Sequence, residues 1–106
     1  MVADMSKPRD IWWGYVKSAI AACANPRNPK HKAMSEATCD AWARVEAALD
    51  EPRRRLADMV LVKRTHTIVG AALQLHISEP TARRWHREVI ISMAREMKID
   101  TQEPFI

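Results

Sequence analysis

The sequence predicts an all-α protein of about five helices. Three observations predict it. Only two of the 106 residues are glycine. Ala, Met, Arg and Glu, which favour helix, are abundant. Apolar residues recur three or four positions apart, and no stretch shows the sustained alternation of a half-buried strand. The length fits one domain with a single core, small enough that a homodimer partner could add burial.

Taken in order, Met1 to Pro8 is a polar lead-in, and Asp10 is placed to cap a first helix carrying Ile11, Trp12, Tyr15, Val16, Ala19, Ile20 and Cys23. Asn25-Pro26 ends it. Trp12 and Tyr15 share a face, which reads as core, whereas Trp13 points elsewhere and its exposure would mark an interface. NPRNPKHK, Asn25 to Lys32, combines prolines, asparagines and cations without apolar anchors. It is expected to be a surface connection that can approach phosphate. Ser35-Glu36 or Thr38 opens a second helix with the stripe Ala37, Ala41, Trp42, Val45, Ala48 and Leu49, closed by Asp50-Glu51-Pro52. Pro52 starts a third, turning Leu56, Met59, Val60 and also Val62 inward.

Thr65 or Thr67 caps the fourth helix, whose face is Ile68, Ala71, Ala72 and Leu75. His76-Ile77-Ser78 is a turn. Ser78 is a good N-cap, Pro80 is tolerated in a first turn, and Glu79 suits the positive end of the dipole, so a fifth helix begins at about Glu79. It runs to about Lys98 with Ala82, Trp85, Val89, Met93 and Met97 inward. Ile90, Ile91 and Ala94 add apolar surface on other sides, for the amino-terminal helices or for a second copy. The tail, Asp100 to Ile106, is acidic and expected to be disordered. The organisation is therefore one helical domain, 1–106, with an amino-terminal helical part, 9–62, and a helix-turn-helix part, 66–98.

That last part carries the function. In THTIVGAALQLHISEPTARRWHR, ending at Arg87, the small residues Ala72 and Ala82 suit the close approach of two steeply crossed helices. His76 stands where such turns often need positive φ and often carry glycine. Charge points the same way: residues 53–98 hold ten Lys and Arg against four Asp and Glu, while residues 1–52 hold seven of each. A basic half that contains a helix pair suits double-stranded DNA. A helix in the major groove reads bases with its early residues. Glu79, Pro80, Thr81 and Arg84 are thus the base-contacting candidates, with Arg84 on guanine, Thr81 on a thymine methyl and Glu79 on cytosine. Lys63, Arg64, Ser78, Arg83 and Arg87 are the phosphate-contacting candidates. His86 is expected at the rim. Arg53, Arg54 and Arg55 suit either phosphate contact or simple solvation of a helix start.

The other readings are bland. Cys23 and Cys39 lack Cys-x-x-Cys spacing and read as small buried hydrophobes, and the four histidines lack ligand spacing, so no metal and no cofactor are expected. No glycine-rich phosphate loop and no nucleophile beside a His and an acid is recognisable, and Glu36 and Asp40 read as a solvated face, so the chain is not expected to be an enzyme. No apolar run approaches bilayer length, and Met1 to Arg9 lacks the apolar core of a secretory signal, so a cytoplasmic location away from membranes is expected.

HTIVGAALQLHISEPTARRW resembles the carboxy-terminal helix-turn-helix of small phage-encoded transcription regulators of the ArpU and RinA type, themselves similar to region four of sigma factors. The early IWWGYVKSAI, with its WGYVK, also resembles that group, and phage antiterminators of the Q type have a comparable layout. The resemblance implies a DNA-binding late-gene activator or antiterminator in a bacterial host, with RNA polymerase as a further partner. NPRNPKHK through DEPRRR matches neither group. Two other expectations are kept: a small terminase subunit, which would form a ring on packaging-site DNA, and a helical protein-binding adaptor whose arginines meet an acidic partner.

Overall fold

Four of the helices in the computed structural model, which describes residues 8–99 with side chains from Trp12 onward, begin at a capping side chain. Ser35, Asp50, Thr67 and Ser78 each accept a hydrogen bond from the backbone N–H three residues on, at Thr38, Arg53, Gly70 and Thr81. Each satisfies a donor that the helix itself leaves unpaired. The elements are α1 (Pro8–Ala24), a short 3₁₀ turn (His31–Ala33), α2 (Glu36–Ala48), α3 (Glu51–Ala57), a π-helical turn (Asp58–Val62), α4 (Ile68–Leu75) and α5 (Glu79–Glu96). Among the described residues there is no strand, and the fold is all-α.

Several boundaries differ from the expectation. α1 starts at Pro8, so Asp10 lies inside its first turn instead of capping it. α3 starts at Glu51, one residue before the expected Pro52, with Asp50 as its cap. α5 ends at Glu96. The expected burial of Ile11, the lead-in before Pro8 and the expected disorder of Asp100 to Ile106 lie outside the described residues and side chains.

The core has two parts. The first gathers Val16 and Ile20 of α1, Ala41, Trp42 and Val45 of α2, Ala57 and Leu61, and Val89, Ile90, Met93 and Ala94 of α5. The second gathers Leu56, Ala71, Ala72 and Ala82, with Ile68, Leu75, Ile77 and Trp85 packed on it. α5 crosses from one to the other. Ala72 and Ala82 are both buried where α4 meets α5, as close approach of two helices requires.

Three packing expectations are corrected. Tyr15 is 58% exposed, while both tryptophans beside it are half-buried against the core. The reason is angular: Trp12 and Trp13 flank the line through Val16 and Ile20, whereas Tyr15 sits about 100° round the helix from Val16. On α2 the buried line is Ala41, Trp42 and Val45, leaving Ala37 and Ala48 exposed at its edge. Leu61 is fully buried although α-helical counting from Leu56 selects Met59 and Val60, which are only half-buried. Leu61 belongs instead to the line of Ala57, one helical turn earlier and in the same cluster, and the i to i+5 bond from Lys63 N–H to Asp58 C=O (2.9 Å) widens the turn that follows. Leu56 can then face α4 while Leu61 faces α1.

Non-glycine residues in left-handed conformation close two of the connections. Arg64 (φ 57°) follows the π turn, after which Thr65 and His66 both donate to Met59 C=O. His76 (φ 59°, ψ 43°) ends α4, and the Ile77 N–H closes on Ala72 C=O at 3.0 Å. The expectation of positive φ at His76 is met.

Because Leu61 is fully buried and Val60 only half-buried, Leu61→Ala should destabilise the fold by about 2–5 kcal/mol, and Val60→Ala by clearly less. Urea unfolding of both variants checks this, and the reverse order would contradict the packing described.

Candidate nucleic-acid interface

Once Ala82, Val89, Ile90 and Met93 of α5 are buried, helical geometry fixes what faces away. Pro80, Arg84 and Arg87 stand opposite that line and are exposed. Thr81 lies to the side of Trp85 and is half-buried, whereas Arg83 lies to the side of His86 and is exposed. The expected base-contacting residues therefore do not all share one face: Glu79, Pro80 and Arg84 are open, and Thr81 is partly covered.

Hydrogen bonds sort these residues further. The Ser78 hydroxyl accepts from Thr81 N–H at 3.2 Å and donates to the Thr81 side-chain oxygen at 2.8 Å, so its own proton is engaged. Glu79 accepts from Arg83, whose Nε lies at 2.8 Å and terminal nitrogen at 2.7 Å from one carboxylate oxygen. Lys63 pairs with Asp58 at 3.3 Å, outside the turn that leads to α4. Arg64 projects from its left-handed turn and is exposed. With the described residues, Arg84 and Arg87 form no ion pair. They present the open positive charge of this face.

The arginine run at 53–55 divides. Arg53 spans the start of α3 and the flank of α5: it bonds Asp50 at 2.7 Å, lies 3.6 Å from Glu88, and its guanidinium sits 4.6 Å from the centre of the Trp85 ring. It works as an internal strut, a role neither expectation for it included. Arg54 donates to Leu49 C=O at 2.9 Å, while Arg55 is exposed. Thirty-odd residues separate Arg53 from Trp85 in the chain, so no local pattern could reveal the pair. The Trp85 indole N–H is buried with no acceptor among the described residues, which leaves stacking as its main polar contact.

His86 is not at the rim. It is 8% exposed and its ring centre lies 6.1 Å from that of Trp13, so the first turns of α5 are tied to α1. Burial, with repulsion from Lys17 and Arg83, pushes its pKa from 6.5 down to about 4. It is neutral at neutral pH and offers no charge to phosphate. The NPRNPKHK connection is also more anchored than expected. Asn25 and Asn28 side chains accept from Arg27 and Lys30 N–H, and His31 Nδ1 lies 2.7 Å from Ala22 C=O. Glu36 and Asp40 are both exposed.

Among the described residues no helix is long and apolar enough to cross a membrane. Compared with protein-family models, curated proteins and solved structures, the chain matches none.

The buried imidazole gives a pH test. Its folded pKa lies below its unfolded value, so its stabilising effect is complete above pH 6.5 and is lost as the pH falls towards 4. At pH 5 the native protein should be up to about 2 kcal/mol less stable than at pH 7 from this group alone. His86→Gln should flatten that slope in urea titrations at the two pH values. An unchanged slope would mean that His86 takes up its proton as readily folded as unfolded.

Proposed function

We propose that the chain is a sequence-specific, double-stranded DNA-binding transcription regulator of phage type, a late-gene activator or antiterminator acting in a bacterial host. In this reading α4 and α5 form a helix-turn-helix, with α5 entering the major groove. The observation that carries it is the pair Arg84 and Arg87, exposed opposite the buried line of α5 and free of carboxylates among the described residues. Arg84 reads a guanine edge, Pro80 packs beside it, and Arg87 and Arg64 hold phosphates. Glu79 and Arg83 act as a unit: base contact by the carboxylate requires the pair to open, which then releases Arg83 to the backbone. Lys63 must likewise leave Asp58. Ser78 serves chiefly as the cap that aims the helix. RNA polymerase is the further partner this role implies.

One observation favours a second reading, a protein-binding helical adaptor. Val69 and Leu73 lie one turn apart on α4, and Leu73 is 74% exposed. Such a ridge suits a protein partner, alone or together with DNA.

Selection of bound duplexes from a random pool tests the proposal, followed by affinities on the selected site and on a scrambled one. Arg84→Ala should lose on the order of 1–3 kcal/mol on the selected site and relax preference at one base pair. Arg87→Ala should weaken both duplexes alike and reduce the salt dependence. Failure of the native protein to bind any duplex at low salt would favour the adaptor.

A further inference from the structure

The two flanks of α5 differ in their charge balance. On one side Trp85 meets α3 through the Arg53 guanidinium, 4.6 Å from its ring centre, and on the other His86 meets α1 through Trp13, with 6.1 Å between ring centres. These two contacts fix which helix borders which flank. Towards α3 the cations keep company with carboxylates: Arg53 lies 2.7 Å from Asp50 and 3.6 Å from Glu88, and Arg54 and Arg55 share a surface groove with Glu46 and Asp58. That flank is neutralised from within.

Towards α1 the cations outnumber the acids. Arg83 precedes His86 by about one turn and Arg87 follows it directly, so both border this flank, and both are exposed. In the first two turns of α5 the only acid is Glu79, which Arg83 already holds. Lys17 comes one turn after Trp13, on the side of α1 that Trp13 turns towards the start of α5. From Ile11 to Ala24 α1 contains no acid, and Val16, Ile20 and Ala21 around Lys17 are buried. Lys17 is half-buried and forms no ion pair with a described residue. The ring between the two helices responds to this excess: after burial itself, repulsion from Lys17 and then from Arg83 holds the His86 pKa down. A partly desolvated ammonium without a counter-charge is costly, and an anion on this flank offsets that cost.

We propose that the α1 flank of α5 is the side that grips a DNA phosphate backbone, with Lys17 of α1 as a phosphate contact beside Arg83 and Arg87, and that the cations of α3 contact none. The inference rests on the DNA-binding reading above and adds to it the side on which a strand is held. Phosphate oxygens accept charge-assisted hydrogen bonds from the Lys17 ammonium, a compact donor that makes no demand for a planar partner. Such a contact carries no sequence information. Because Lys17 belongs to a helix packed across the large core, the backbone on this side is held by two elements that cannot move apart freely.

The test measures affinity for the selected and the scrambled duplex over a series of salt concentrations, for the native protein, Lys17→Gln, Lys17→Arg and Arg55→Gln. Lys17→Gln should weaken both duplexes by the same factor and lower the slope of log affinity against log salt by about 1. Lys17→Arg and Arg55→Gln should keep the native slope. Acetylation of the native protein by an N-hydroxysuccinimide ester, followed by peptide mass spectrometry, gives a second readout that no variant's folding affects. Excess duplex should protect Lys17 several-fold and leave Lys98, about 20 Å along α5 from Arg83, as reactive as before. An unchanged slope in Lys17→Gln, an equal loss in Arg55→Gln, or Lys17 acetylated alike with and without duplex would overturn the inference while native binding leaves the DNA-binding reading standing. Failure of the native protein to bind any duplex at low salt would overturn both.

Discussion

The structure depends on one helix serving two cores. Ala82 closes the small cluster under α4, and Val89, Ile90, Met93 and Ala94 fill the large one between α1 and α2. Full burial of a Val, Ile or Met side chain is worth about 1.5–3 kcal/mol, so the inner face of α5 holds a large share of what keeps this chain folded. A helix fixed along its length in this way cannot roll or slide without opening both clusters. Its outer face is therefore delivered in one orientation. The strut from Arg53 to Trp85 and the contact of His86 with Trp13 add lateral restraint near the start of the helix, where aim matters most for the proposed interface.

The middle of the chain makes that double role possible. Helical counting keeps Leu56, Met59 and Val60 on one side and Ala57 and Leu61 on another, so one short segment serves both clusters. Leu61 enters the larger core within the π turn, and a left-handed arginine then turns the chain into α4. With so few glycines, the chain uses Arg64 and His76 where glycine would be easiest. Both belong to connections around α4, beside the face proposed to meet DNA, while the third such residue, Lys98, follows the end of α5.

What could be read from the sequence was what is local. The cap at Ser78, a threonine cap on α4, the positive φ at His76, the small pair Ala72 and Ala82, and the inward set of α5 from Ala82 to Met93 all follow from spacing and residue type, while the choice of Thr67 over Thr65 does not. What could not be read depends on contacts far apart in the chain. His86 has the composition of a rim residue and is buried only because Trp13 arrives from another helix. Arg53 looks like one of three equivalent cations until Trp85 and Glu88 come beside it. Of the proposed interface, the exposure of Glu79, Pro80, Arg84 and Arg87 was legible, while the pairing of Glu79 with Arg83 and the engaged Ser78 hydroxyl required coordinates.

Amide chemical-shift mapping with a random-sequence duplex at low salt addresses the central claim most directly. A rigid helix offering its outer face to DNA should show changes concentrated at Thr81, Arg83, Arg84 and Arg87 and at Lys63 to Thr67, with Val89 to Ala94 unmoved. Changes centred on Tyr15 and α2, or none at any ratio of duplex to protein, would contradict it.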